Sequence, residues 1–189
     1  YLPECQTMAM FSSIRDIKNK KVKQLKILRS LGINGLSIGV ESGDDSTLAL
    51  ANKGYTAKDI IEQCRKLDEA DIEYYFVYMT GLVGKDKGYK NAVNSAKVFS
   101  KVNPRFVHVD SLTLFEGTEL YDMARAGTFI PAGEKERLEE LKVFIKTLHI
   151  RTHLFANTVS NFYPVTAYLP RDKENILSEL QYILDTVSE

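Results

Sequence analysis

Between residues 6 and 115, short and nearly continuous apolar runs alternate with segments whose apolar residues return every three or four positions. "QTMAMFSS" reads as a strand. In "KVKQLKILRSLG" the spacing of Val22, Leu25, Leu28 and Leu31 predicts a helix, with Gly32 as its stop. The strand "GLSIGVE" follows, then a helix from Thr56 as N-cap, through Asp59, to about Ala70, then the strand "EYYFVYMTG". A helix in "YKNAVNSAKVFSKV", a break at Pro104 and the strand "RFVHVDSLTLF" complete the series. Apolar strands joined by amphipathic helices require an α/β fold, a parallel sheet covered by helices on at least one face. Right-handed connections then gather every strand-to-helix loop at the C-terminal edge of the sheet.

That edge is where ligand chemistry belongs, and two strands reach it with suitable residues. "GVESGDD" crowds Glu41, Asp44 and Asp45 at a strand end. A carboxylate there can accept hydrogen bonds from two neighbouring hydroxyls, as in a ribose, while Gly43 lets a ligand approach the backbone. The competing reading is that Ser42, Gly43 and Asp44 turn the chain and cap the next helix. The next strand ends in "MTGLVGKDKG", where Gly81 and Gly84 permit a tight turn with bare backbone, suited to a flat ring.

Composition narrows the function classes. The chain has 189 residues, 44% apolar and 26% charged, which fits one globular domain with a real core. Lys plus Arg equals Asp plus Glu at 25 each, so no net field indicates a nucleic-acid partner. No apolar run approaches the roughly 20 residues of a membrane helix, and a cytoplasmic protein acting on a small molecule is expected. Cys5 and Cys64 are far apart without metal-ligand spacing, and Cys64 shares helical spacing with Ile60, Ile61 and Leu67, as a core residue would.

Several further residues admit two readings. Lys53, just ahead of a helix, reads by itself as a solvated surface lysine. His108 and Asp110 share one strand face and either enter a cavity or are satisfied at the sheet margin. His149 and His153, at i and i+4 on an expected helix, have metal spacing but no third ligand, so no metal site is assigned. Tyr74, Tyr75 and Tyr78 read as strand filling, and "GEKERLEELKVFIKTLH" as an amphipathic helix whose charges form a solvated face.

In order and spacing, "LRSLGINGLSIGVESGDDSTLALANKGYT", "MTGLVGK" and "SLTLFEGTELYDMARAG" resemble the later strands of radical S-adenosylmethionine enzymes, nearest the oxygen-independent coproporphyrinogen oxidase-like Fe-S oxidoreductases. The later "VSNFYP" and "LPRDKENIL" are similar to a tail of the same group. The resemblance implies the C-terminal part of a partial (β/α)6 TIM-like barrel over residues 1–130, lacking its first strands and cluster loop, with residues 131–189 as a helical extension packed on it. It also implies S-adenosylmethionine, cleaved reductively by a [4Fe-4S] cluster to a 5′-deoxyadenosyl radical. Glu41 would hold the ribose, with Ser42 and Gly43 beside it as cofactor-binding residues, Lys53 would meet the methionine carboxylate, and the adenine would pack on Met79, Thr80, Gly81 and Gly84. Where the family loop commonly reads G-L-P-G-E, Val83 and Lys85 stand here. The family's C-x-x-x-C-x-x-C motif does not occur in these residues, and the chain opens at Tyr1 without an initiator Met. The expectation is therefore a portion cut before its third strand, inactive alone and prone to dimerise through the exposed strand edge. The alternative class is a non-radical α/β module that binds a nucleotide or phosphate.

Overall fold

The structure is a computed structural model describing residues 4–5 and 7–186, so the Tyr1 terminus lies outside the described residues. Among the described residues six strands form one sheet in the order β1 (Met8–Ser12), β2 (Ile33–Glu41), β3 (Glu73–Thr80), β4 (Phe106–Ser111), β5 (Thr152–Ala156) and β6 (Val165–Leu169). Strands β1 to β5 are parallel, and β6 returns antiparallel to β5. The sheet does not close on itself, so β1 and β6 are its edges.

The connecting helices are α1 (Ile14–Lys18), α2 (Val22–Ser30), α3 (Asp45–Leu50), α4 (Ala57–Glu69), α5 (Gly88–Phe99), α6 (Glu119–Arg125) and α7 (Glu134–Thr147), with α8 (Lys173–Thr186) after β6. Their starts follow local chemistry. Ser13 and Thr56 accept from the backbone N–H three residues on, while Asp16 and Asp59 reach back, a reciprocal capping box at each site.

Burial alternates along each central strand and separates two faces. Tyr74, Phe76, Tyr78 and Thr80 of β3 are buried under helices, whereas Tyr75, Val77 and Met79 are partly exposed on the other, open face. Under the helices, Tyr78 stacks on Phe144 of α7 with centroids 4.2 Å apart, and Phe76 meets Phe99 of α5 edge-on at 4.7 Å. Cys64 is fully buried there, the core role its spacing predicted.

The described part of residues 131–189, up to 186, departs from the expected helical extension. After α7 it supplies β5 and β6 to the same sheet. Burial pulls Thr152, Leu154 and Ala156 to one face while His153 and Phe155 turn to the other, a strand pattern that overrides helical spacing. His149 and His153 therefore do not share a helix: His149 follows α7, and His153 lies on β5.

Candidate cofactor site

The parallel strands bring Glu41, Met79 and Asp110 to one edge of the open face, where Lys53 reaches in from the loop before α4. A register shift between Gly39 and Glu41 interrupts the β2 ladder, and Glu41 adopts φ 64°, a left-handed conformation that costs a residue with a Cβ on the order of 1–2 kcal/mol. Gly39 completes the arrangement: a Cβ there would lie 2.7 Å from Glu41 Oε1, so the carboxylate folds back into the space that the missing side chain leaves.

Glu41 is held but not satisfied. Lys53 Nζ donates to Oε1 at 3.5 Å, while Oε2 is buried with no hydrogen-bond partner among the described residues. Burial pushes its carboxyl above the ordinary carboxylate range, Lys53 opposes the rise and Asp110 adds to it. Tyr55, buried nearby, donates to the carbonyls of Gly39 and Val40 at 3.3 and 3.4 Å and supports the strand end. Asp110 accepts from Thr158 at 2.7 Å, and Asn161 and Ser160 of "VSNFYP" bond the end of β4. Along the open face Tyr75, Phe106 and His153 form an aromatic row, with centroids 5.0 and 5.6 Å apart, and Arg105 lies over Phe106 at 5.8 Å.

The structure divides the expected residues. Glu41, Lys53 and Met79 stand at the open face. The side chains of Ser42 and Thr80 do not: Ser42 donates to Asn91 at 2.6 Å under the helices, and Thr80 shares a 2.9 Å bond with Ser111. Gly43 is bare because a Cβ would meet Ser95 and Val98 of α5 at 2.8 and 2.9 Å. Gly81 and Gly84 have φ 77° and 78°, and a Cβ on them would lie 2.9 Å from Arg137 and 2.7 Å from the Ile130 carbonyl, so these glycines admit the chain's own neighbours. Their expected exposure towards a ligand is thus corrected, because α7 and the segment before it cover that turn. Asp44 is the N-cap of α3, accepting from Thr47 N–H at 3.0 Å, in agreement with the capping reading.

Sequence reasoning missed a buried polar network behind this edge. Glu140 of α7 accepts from Tyr78 Oη at 2.7 Å, from Asn91 Nδ2 at 2.8 Å and from Gly81 N–H at 2.8 Å. Burial raises the Glu140 carboxyl, against the lowering effect of those three donors. Its signal was faint: Glu140 falls one turn before Phe144, on the apolar side of a helix otherwise rich in charge.

The two groups implied by the resemblance fit these residues differently. A buried carboxylate oxygen without a protein donor, beside a lysine and an open aromatic face, fits the ribose and amino-acid ends of S-adenosylmethionine. The cluster does not fit. Cys64 is sealed in α4 with its thiol pushed well above normal, Cys5 is exposed, and no group of three or more His, Cys, Asp or Glu among the described residues could hold a metal.

The mostly parallel sheet with its covering helices has the fold expected from the resemblance, a TIM-like α/β sheet that is not closed into a barrel. The chain superposes on archaeal Methanocaldococcus infernus Elp3 with TM-score 0.67 and 19% identity, over 96% of this chain and 42% of that one. It also superposes on coproporphyrinogen III oxidase from Escherichia coli, a radical S-adenosylmethionine enzyme, with TM-score 0.56 and 18% identity, over 74% of this chain and 31% of that one. In sequence it is 26% identical to a tRNA uridine(34) acetyltransferase of Methanocaldococcus infernus over 85% of this chain, and 25% to that of Methanocaldococcus jannaschii, over the same share. The chain spans about 30% of the length of these curated relatives. No family model matches. No helix among the described residues is long and apolar enough to cross a membrane.

Proposed function

We propose that this chain supplies the S-adenosylmethionine-binding edge of a longer cytoplasmic radical S-adenosylmethionine enzyme. The observation that carries the reading is the buried, unpartnered Oε2 of Glu41 at the end of β2. In this reading Glu41 accepts the ribose hydroxyls, and Lys53 favours the ionised form of that carboxylate while offering its remaining protons to the methionine carboxylate. Met79 gives the adenine an apolar surface on the open face. S-adenosylmethionine, held here beside a [4Fe-4S] cluster bound by other residues, would supply radical chemistry, and the part of Glu41, Lys53 and Met79 would be to bind and orient it. The rest of the open face, with its aromatic row, would take the substrate. The curated relatives are named for tRNA uridine acetyl transfer, so a uridine-containing RNA is the substrate to test before a porphyrin. Because the charge of this chain balances, RNA affinity would come from elsewhere in the protein.

The test uses the longer protein, loaded with its cluster. Glu41→Ala should weaken S-adenosylmethionine binding by about 1.5–3 kcal/mol per lost charge-assisted bond before non-additivity, with iron content unchanged. Calorimetry showing unaltered affinity would sink the ribose assignment, and equal affinity for ATP without 5′-deoxyadenosine production would favour a plain nucleotide-binding module. The 189-residue chain alone, treated with iron and sulfide without oxygen, should show no stoichiometric [4Fe-4S] absorption; a full cluster on Cys5 and Cys64 would overturn the division of labour.

A further inference from the structure

The β2 end that carries Glu41 and the turn at Gly81 touch a common set of buried side chains on two helices. From β2, Gly43 N–H donates to Ser95 Oγ at 2.7 Å, and Ser42 Oγ donates to Asn91 Oδ1 at 2.6 Å. From β3, Tyr78 Oη and Gly81 N–H donate to the two oxygens of Glu140 at 2.7 and 2.8 Å. Asn91 joins the halves, because its Nδ2 donates to Glu140 Oε1 at 2.8 Å while its Oδ1 faces the serines. An unbroken path therefore runs from Gly43 through Ser95, Asn91 and Glu140 to Gly81. Ser42, Tyr78 and Ser95 are fully buried, and Asn91 and Glu140 nearly so.

Burying a carboxylate without a cation is costly, and an apolar residue at position 140 would pack α7 onto the sheet at lower cost. What an apolar residue could not do is hold Gly81 N–H and, through Asn91, the residue next to Glu41 in one fixed relation. Glu41 has a left-handed backbone that persists only where its neighbours enforce it. Ser42 is the nearest such neighbour, and Asn91 anchors it.

We propose that Glu140 and Asn91 are positioning residues for the cofactor: a buried clamp that sets the spacing between the Glu41 strand end and the Gly81 turn. The proposal rests on the ribose reading of Glu41. Neither residue touches the open face; each acts through the backbone segment it holds.

The test is a mutant cycle in the cluster-loaded longer protein, read as S-adenosylmethionine affinity by calorimetry. In Glu140→Gln the amide group replaces one acceptor, so one of the three donors faces another donor. That variant should lose about fivefold or more in affinity, with iron content and far-UV circular dichroism unchanged. In a Glu41→Ala background the same change should cost less than about twofold, because the group being positioned is gone. A merely structural role would give equal factors in both backgrounds, and that result, or no loss in either, overturns the clamp. Should Glu140→Gln fail to fold, Tyr78→Phe and Asn91→Ser carry the same cycle, since they trim the path at one hydroxyl or one amide. If Glu41→Ala alone leaves affinity unchanged, the ribose reading falls and the clamp with it, a pattern distinct from additive losses.

Discussion

Gly39 shows how one absent side chain shapes the site. Its missing Cβ leaves the space into which Glu41 folds, with Lys53 Nζ 3.9 Å from the same point. A methyl group there meets the end of a flexible side chain and no backbone, so Gly39→Ala should leave the melting temperature of the protein nearly unchanged while swinging the carboxylate off its position. The expected outcome in the cluster-loaded longer protein is about a tenfold loss of S-adenosylmethionine affinity, the loss of one charge-assisted bond. Equal affinity in variant and wild type would show that Glu41 binds from another rotamer. The place of Glu41 at a strand end was legible beforehand, because the apolar run of β2 stops there. Ser42 and Gly43 misled for a related reason: small residues that let a ligand approach also let a helix approach, and here α5 takes the space.

Among elements, the short helix α3 depends on Asp44, which also binds α5. Asp44 accepts from Thr47 N–H and Ser46 and from Asn94 Nδ2 at 2.6 Å. Burial alone would raise its carboxyl, but the hydrogen bonds from Ser46, Asn94 and Thr47 prevail and hold it at about 2. A carboxyl depressed on folding contributes stability that is present above its unfolded value and lost as pH falls through the folded one, here between about 4 and about 2. Asp44→Ala should cost on the order of 2 kcal/mol at neutral pH, with the gap to wild type narrowing across that window in urea titrations. A gap constant with pH would assign the loss to packing. The same scale explains what the sequence concealed. Helices α2, α4, α5 and α7 were readable from their period, whereas β5 has five residues and lies where two histidines mimic a helical repeat. Its period of two was present in Thr152, Leu154 and Ala156, yet only pairing with β4 makes so short a run a strand. Glu140 was hidden differently: a glutamate amid Glu and Lys reads as solvent-facing until the helix is docked.

At the scale of the molecule, β1 is the exposed side of the sheet. Phe11 is 86% exposed, Met8 and Met10 are exposed beside it, and Ile27 and Leu31 of α2 continue the apolar surface. An edge strand with free backbone groups and apolar side chains is a template for pairing. The 189-residue chain should associate with rising concentration in sedimentation velocity, and Phe11→Lys should shift it towards monomer; a monodisperse monomer at high concentration would count against pairing at this edge.

The clamp also bears on the order in which a ribosome releases the chain. Tyr78 and Gly81 precede their shared acceptor by 62 and 59 residues, and the intervening segment contains α5, β4 and α6. During synthesis strands β2 and β3 emerge first, with Tyr78, Asn91 and Gly81 N–H still lacking the carboxylate that satisfies them. The strand-end edge is therefore completed late, after α7 has emerged and docked, and a nascent chain stalled before residue 140 would carry Glu41 on a strand end not yet locked in register.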